Sequence, residues 1–378
     1  MNKNTRHGQI LLTPGPLTTS DRVRAALTRD WGSRDKAFIA MTARIRETLC
    51  RLAGAEEGYS CIPVQGSGTF AVEATLGTLL PRADGKCLIL INGAYGKRMA
   101  KICDYLGRAY EVYETAEDTP PDPEAVSDIL SADEKISLIA MVHCETTSGI
   151  LNPVRKIAAV AREFDRKLII DAMSSFGALP IDLAELGATA LIASANKCLQ
   201  GAPGLGYAII ENAALAASKD NAASLSLDLH DQAEYMDRSG QWRFTPPTHV
   251  VAALDQAMAE LAEEGGIEAR GSRYQANCDR LVSGLTEMGF ELFLPSSLQA
   301  PIIVTIRTPA DPAFDFSDMY DALNEKGIIL YPGAVTQEKT FRIGCIGDIG
   351  PEDIAWALEE IAAYLSAKGL GAEALKAG

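Results

Sequence analysis

The sequence is poor in histidine, in positive charge and in paired cysteines, and each shortage excludes a class of function. Four histidines in 378 residues leave few candidates for histidine-centred catalysis. The eight cysteines are scattered without a Cys-x-x-Cys pair or a matching histidine spacing, so no metal site is predicted. Lysine and arginine total 35 against 50 acidic residues, a net charge of −15. That balance argues against nucleic acid and against an anionic membrane surface as partners.

Long apolar runs are also missing. No run approaches the ~20 residues that a membrane helix needs, and residues 1–6 lack the apolar core of a signal peptide. Scattered cysteines of this kind are typical of reduced thiols. We therefore expect a cytoplasmic protein without a membrane partner.

Short apolar runs alternate with amphipathic helical stretches over most of the first 210 residues. This alternation predicts a largely parallel, doubly wound α/β sheet with helices on both faces. Residues 212–240 show little periodicity. A smaller unit follows, with strands predicted near 301–306, 327–331 and 340–345 and helices at 316–326 and 351–366. A chain of this length is expected to form a large domain and a smaller one.

Lys197 lies just after the apolar run 190–193, and a Gly/Pro-rich turn separates it from a second apolar run at 207–210. A lysine is rarely buried without a partner. It is therefore either a charge that reaches solvent from a strand end or an amine held for chemistry. Ligands of parallel sheets bind at the carboxyl ends of the strands. The second interpretation is favoured because other polar residues fall at such ends, namely Ser67, Gly68, Thr69, Tyr95, Thr147 and Asp171.

Each of these positions has an ordinary interpretation beside the functional one. The Gly-Ser-Gly-Thr turn at 66–69 stands between a strand and a helix, where backbone amides can bind an anion, but it matches neither the dinucleotide nor the P-loop pattern. Tyr95 could pack in the core or stack on the face of a planar ring. Asp171 could begin a turn or pair with a protonated ring nitrogen. The Thr-Pro-Gly-Pro turn at 13–16 could be an ordinary connecting loop or a loop whose backbone contacts a ligand.

Taken together, a phosphate cradle, a ring-stacking aromatic, an aspartate and a lysine point to pyridoxal 5′-phosphate. The lysine amine can condense with its aldehyde, and the aspartate can keep its ring nitrogen protonated. Arg342, flanked by apolar residues on a late strand, is either exposed at an edge or binds a carboxylate-like anion.

These motifs resemble the fold-type I, class V pyridoxal-phosphate aminotransferases. The matching segments run nearly from end to end, over 12–16, 65–70, 92–96, 145–149, 171–175, 195–198 and 341–344. The resemblance implies an α/β fold with a mostly parallel, seven-stranded sheet in a large cofactor-binding domain at 21–262. It also implies a smaller α+β domain at 263–378 and an N-terminal segment, 1–20, that contributes to the substrate site.

The resemblance implies a role for each matching residue. Lys197 is similar to the lysine that bonds to the cofactor and moves the proton, and Asp171 to the partner of the ring nitrogen. The other implied cofactor-binding residues are Ser67, Gly68, Thr69, Tyr95, Thr147, Asn196 and Thr245.

Arg342 and the Gly15 backbone resemble the clamp for the acidic group of the substrate. Thr245 resembles a segment that crosses from a second subunit to the phosphate, which implies an obligate homodimer with shared sites. Whether Arg34, Arg243 or Trp31 also lines the acid pocket is left open.

The implied donor is 2-aminoethylphosphonate and the implied acceptor is pyruvate, which would leave as L-alanine. An alanine–glyoxylate or serine–pyruvate aminotransferase is the alternative, although relatives acting on glyoxylate often have tryptophan at the position of Tyr95 and many relatives have glutamine at that of Asn196. A lyase such as a cysteine desulfurase would need a mobile cysteine, and Cys198 is poorly placed for that beside Lys197. A ligand-sensing domain would need an attached DNA-binding module.

Overall fold

A computed structural model describes residues 8–331 and 337–376. Its strands are β1 (Ile10–Leu11), β2 (Tyr59–Gln65), β3 (Lys86–Ile91), β4 (Tyr110–Glu114), β5 (Ile136–Val142), β6 (Cys144–Glu145), β7 (Ile150–Leu151), β8 (Lys167–Asp171), β9 (Ala190–Ser194), β10 (Leu205–Glu211), β11 (Ile303–Arg307), β12 (Ile328–Ile329) and β13 (Thr340–Gly344). Its helices are α1 (Asp21–Ala26), α2 (Lys36–Leu52), α3 (Gly68–Leu79), α4 (Ala94–Leu106), α5 (Pro123–Ala132), α6 (Val154–Glu163), α7 (Leu183–Leu186), α8 (Asn212–Ala217), α9 (Leu229–Ser239), α10 (Thr248–Glu264), α11 (Gly266–Met288), α12 (Phe316–Glu325) and α13 (Pro351–Ala367). Within these ranges, no helix combines the length and the apolar character that crossing a membrane requires.

The central sheet has seven strands in the order β2-β10-β9-β8-β5-β3-β4. Only β10 runs opposite to the others, because it pairs antiparallel with both β2 and β9. The predicted mostly parallel, seven-stranded sheet is therefore confirmed. The carboxyl ends of the six parallel strands meet at one edge, as the position of the polar residues requires.

Side chains of the central strands alternate between two buried cores. Along β3, Leu88 and Leu90 pack into one core, whereas Ile89 and Ile91 pack into the other. Successive side chains of a strand point to opposite faces, so a continuous apolar run is what a sheet covered on both faces needs. All eight cysteines are free and buried, which agrees with the interpretation of scattered thiols.

The N-terminal segment packs with the C-terminal part of the chain. β1 pairs in parallel with β12, β11 pairs antiparallel with β13, and Ile10 and Leu12 share a core with Phe341 and Ile343. The division at 262/263 falls in the last turn of α10, just before Gly265, whose positive φ of +109° separates α10 from α11. The domain boundaries themselves stay a prediction.

The polar stretch at 212–240 differs from the expectation, because it contains α8 and α9. Asp228 caps the first turn of α9, and Gly240, in the left-handed conformation, ends it. Its buried face consists of Leu229, Ala233 and Met236. Three buried residues in a helix of eleven give a weak helical periodicity, so the caps are the stronger signal. The strand predicted at 327–331 is shorter, since β12 covers only two residues.

Candidate active site

The Lys197 amine lies against the N-terminal turn. The turn after β9 is closed by hydrogen bonds from Gln200 N to Lys197 O at 2.8 Å and from Gly201 N to Ala195 O at 2.8 Å. Lys197 Nζ donates to the carbonyl oxygens of Pro14 and Gly15 at 2.8 and 3.3 Å. Burial lowers the pKa of Lys197 to about 8. An amine with this pKa is partly neutral near pH 8 and can act as a nucleophile.

Asp171 ends β8, the strand next to β9, and is only 4% exposed. Met173 N donates to its Oδ1 at 2.9 Å. Burial raises the pKa of Asp171 to about 6. Among the described residues, no lysine, arginine or histidine forms an ion pair with it. A buried carboxyl group of this kind fits a ligand that brings its own positive charge, such as a protonated ring nitrogen.

The predicted phosphate cradle lies beside the Asp171 loop. Ser67 is the cap residue of α3, and its side chain makes no capping hydrogen bond. A Cβ at Gly68 would clash with the sulfur of Met173, so a larger residue here would require the methionine side chain to move. The first amides of a helix have no partner inside it, and the turn can therefore receive an anion.

Tyr95 stands in the first turn of α4, with the Arg98 guanidinium 4.7 Å from its ring centre. Arg98 Nη1 also donates to Thr69 Oγ1 at 3.2 Å, which connects α4 to the cradle. Sequence reasoning missed Arg98. The i,i+3 spacing from Tyr95 could have found it, because such residues are neighbours on a helix.

Glu145 is fully buried and organises the β3–α4 turn. It accepts hydrogen bonds from Tyr95 N, Gly96 N and Thr147 N at 3.2, 3.3 and 3.1 Å and from Thr147 Oγ1 at 2.6 Å. Burial nevertheless raises the pKa of Glu145. Thr147 Oγ1 also accepts from Ala94 N at 2.8 Å. Its proton is thus directed at Glu145, and its predicted contact with the cofactor ring stays a prediction.

Arg342, on β13, is 2% exposed, which excludes the edge-exposed alternative. Its Nη1 donates to Thr146 O at 2.6 Å, and its guanidinium carbon lies 5.0 Å from the centre of the Tyr331 ring. Burial lowers the pKa of Arg342. The hydrogen bond to Thr146 brings Arg342 to the loop that carries Thr147.

Thr245 lies outside this group of contacts. Asn196 is partly buried beside Lys197, but Thr245 is exposed and lines a surface cavity of about 480 Å³. The other residues of that cavity are Ser33, Arg34, Gln65, Gln241, Trp242, Arg243, Phe244 and Pro246. Arg243 forms an ion pair with Asp231 at 3.0 Å. The contacts described above within one chain therefore do not include Thr245.

The sequence family and the fold both have known counterparts. The family model of class-V aminotransferases matches residues 18–344, and the chain belongs to this family. A pyridoxamine–pyruvate aminotransferase from Mesorhizobium loti is 26% identical, with a TM-score of 0.86 over 97% of this chain and 95% of that one. An alanine–glyoxylate aminotransferase from Nostoc sp. is 25% identical, with a TM-score of 0.86 over 96% and 97%.

Several curated relatives within the family carry one and the same name. A 2-aminoethylphosphonate–pyruvate transaminase of Pseudomonas entomophila is 54% identical over 356 residues, 94% of this chain and 96% of its own length. One from Pseudomonas aeruginosa is 53% identical over 352 residues, 93% and 95% of the two chains. The resemblance inferred from the motifs is confirmed, and so is pyridoxal phosphate as the cofactor of the family.

Proposed function

We propose that the chain transfers the amino group of 2-aminoethylphosphonate to pyruvate, which yields phosphonoacetaldehyde and L-alanine. Relatives with this activity, 54% identical over 94% of the chain, support it. The observation that carries the proposal is the position of the Lys197 amine, which has a pKa of about 8 and lies on the sheet edge beside Asp171. A nucleophilic amine and a buried carboxyl group are the pair that this chemistry needs.

Pyridoxal phosphate, when bound, supplies an electron sink for the negative charge that develops on the substrate carbon. Lys197 would hold it through its amine and Asp171 through the ring nitrogen. Residues 67–69 would bind the phosphate, and Tyr95 would lie against the ring. The contact between Gly68 and Met173 supports this, because it places the anion cradle next to the Asp171 loop.

Lys197 would also move the proton. Its Nζ would take the proton from the substrate carbon that bears the amino group and deliver it to C4′, the aldehyde-derived carbon of the cofactor, in the same half-reaction. A general base works best when its pKa is close to the working pH, and burial brings that of Lys197 to about 8. The carbonyl oxygens of Pro14 and Gly15 accept hydrogen bonds from this amine and would orient it before it reacts.

Arg342 would bind the acidic group of each substrate. Its planar guanidinium can pair with two oxygens of a phosphonate or of a carboxylate, so one side chain serves both half-reactions. Its burial supports this role, because an ion pair is stronger where water is excluded.

We further infer a homodimer in which Thr245 of each chain contributes to the cofactor phosphate site of the other. The exposure of Thr245, away from the Lys197 cluster, supports this arrangement, as do the exposed rings of Phe70 and Phe244, 49% and 42% accessible. Sedimentation would test the dimer. A mixture of Lys197→Ala and Thr245→Ala chains should regain activity, since one of the two hybrid sites has both residues. We also infer a cytoplasmic enzyme, because all eight thiols are free.

The test of the activity is an absorbance measurement on the purified protein loaded with pyridoxal phosphate. We would add 2-aminoethylphosphonate, L-alanine or L-serine separately, without a keto acid. Loss of the visible band with 2-aminoethylphosphonate and with L-alanine, but not with L-serine, is expected. Loss with L-alanine or L-serine alone would instead indicate the glyoxylate-type activity.

The control is Lys197→Ala, which removes only the side chain beyond Cβ and should not respond to any donor within the same time. Pyruvate added after 2-aminoethylphosphonate should restore the band of the wild-type protein and release L-alanine. A protein that forms no visible band with pyridoxal phosphate would refute the role of Lys197.

A further inference from the structure

A buried arginine far from Lys197 in sequence holds the turn that carries it. Arg270, near the start of α11, is 1% exposed. Its Nη1 donates to the carbonyl oxygens of Cys198 and Leu199 at 3.0 and 3.2 Å, the two residues that follow Lys197. Fixing two successive carbonyls fixes the backbone on the C-terminal side of the lysine and hence the direction of its side chain.

Arg270 is held in turn by a carboxylate. Its Nε and Nη2 both lie 2.8 Å from Glu264 Oε2, at the end of α10. The other carboxylate oxygen, Oε1, accepts from Arg273 Nε at 2.8 Å. Glu264 is thus shared by two arginines one helical turn apart, and both guanidinium groups are fixed by charge-assisted hydrogen bonds.

The same group of contacts reaches the strand that carries Arg342. Arg273 Nη1 donates to Gly347 O and Ile349 O at 2.7 Å each, just after β13. Gln200, in the lysine turn, donates to Gly347 O at 2.7 Å and to the Tyr274 hydroxyl at 2.6 Å. Gln200 of the lysine turn and Arg273 therefore donate to the same carbonyl oxygen, just after the strand that carries Arg342.

We infer that Arg270 is a positioning residue for Lys197, which it fixes relative to Arg342 through Glu264 and Arg273. The inference rests on the proposed role of Lys197. Arg270 does not touch the reacting atoms. It sets the distance between the amine that moves the proton and the guanidinium that binds the acid. Misplacing a reacting group by about 1 Å can cost on the order of 100-fold in rate.

The test compares Arg270→Met with Arg108→Met, each loaded with pyridoxal phosphate. Arg108 is a matched control, because it is also buried, at 5% exposure, and also donates to two backbone carbonyls, those of Gly77 and Asn221. It lies away from the lysine turn. Both variants should melt at a lower temperature. Only Arg270→Met should alter the site.

The first readout is a pH titration of the visible cofactor band without any donor, so it does not depend on the identity of the substrate. Arg270→Met should shift its midpoint by about half a pH unit or more, because a strained lysine rotamer changes the energy of one protonation state. With whichever donor bleaches the wild type, the single-turnover rate should fall about 10- to 100-fold at an unchanged half-saturating concentration.

Arg270→Lys keeps the charge but has one nitrogen for three acceptors, so it should show an intermediate shift. If Arg270→Met does not fold, Arg270→Lys replaces it in both measurements. The inference would be overturned if Arg270→Met lost as much stability as Arg108→Met but kept the pH-titration midpoint and the single-turnover rate of the wild type.

Discussion

Gly15 offers the most direct test of the site, because its missing side chain faces Lys197. A Cβ at Gly15 would lie 2.6 Å from Lys197 Cδ and 2.7 Å from Nζ. Carbon atoms in contact are normally about 3.5–4.0 Å apart. In Gly15→Ala the lysine must therefore move by about 1 Å, a displacement that can cost on the order of 100-fold in rate.

The same substitution has a separate backbone cost. Gly15 has φ +114°, and a non-glycine residue in such a conformation costs about 1–3 kcal/mol. The lysine side chain is flexible and can move away from the new methyl group, so we expect this contact to lower the activity of Gly15→Ala. The unfavourable backbone conformation at residue 15 should lower its stability.

Gly58→Ala separates the two effects. Gly58 also has a positive φ, +77°, but a Cβ there would meet nothing within 4 Å. Denaturant unfolding should show both variants destabilised by about 1–3 kcal/mol, and single-turnover kinetics should show the ~100-fold loss only for Gly15→Ala. If Gly15→Ala kept the wild-type rate to within a factor of about three, the contact with Lys197 would not matter for the reaction.

Two further predictions concern charge. Asp171→Asn should weaken binding of pyridoxal phosphate about 100- to 1,000-fold in a fluorescence titration, because it leaves the ring nitrogen without its anion. The cofactor-free variant should be more stable than the wild type at pH 7, since the raised pKa of about 6 means that ionising Asp171 disfavours the folded state; equal stability would contradict this. For Lys197, the folded pKa of about 8 lies below the ordinary 10.5, so the folded state binds fewer protons between these values and stability should rise with pH across them. Lys197→Met should abolish that rise, and the wild-type rate of cofactor loading should increase with pH and level off above about 8; a midpoint near 10 would show an unperturbed amine.

The strand ends of the sheet were predictable because their signal is local. Apolar runs that stop at or a few residues before Thr69, Tyr95, Asp171 or Lys197 are visible in short stretches of sequence, and parallel strands bring such ends together. The reversed direction of β10 and the two-residue length of β12 were not predicted, since neither depends on its own residues alone. β12 is defined by its partner β1, almost the whole chain away.

The residues that hold the site in place were harder to predict for the same reason. Glu145 accepts hydrogen bonds from the backbone amides of Tyr95 and Gly96, which precede it by 50 and 49 residues. Arg270 sits in a helix whose sequence reads as an ordinary polar surface, and its acceptors are backbone carbonyls. A carbonyl has no side-chain signature, so no pattern in the sequence could indicate these bonds.

The pairing of β1 with β12 has a consequence for biosynthesis. Residues 10–15 are translated long before Ile328 and Ile329, the strand with which Ile10 and Leu11 pair. Because translation adds about 5–20 residues per second, β1 is made tens of seconds before its partner strand β12. The seven strands of the central sheet are all made before then. A chain released early could therefore contain the whole sheet and Lys197, and still lack the C-terminal strand that holds the carbonyl acceptors of its amine in place.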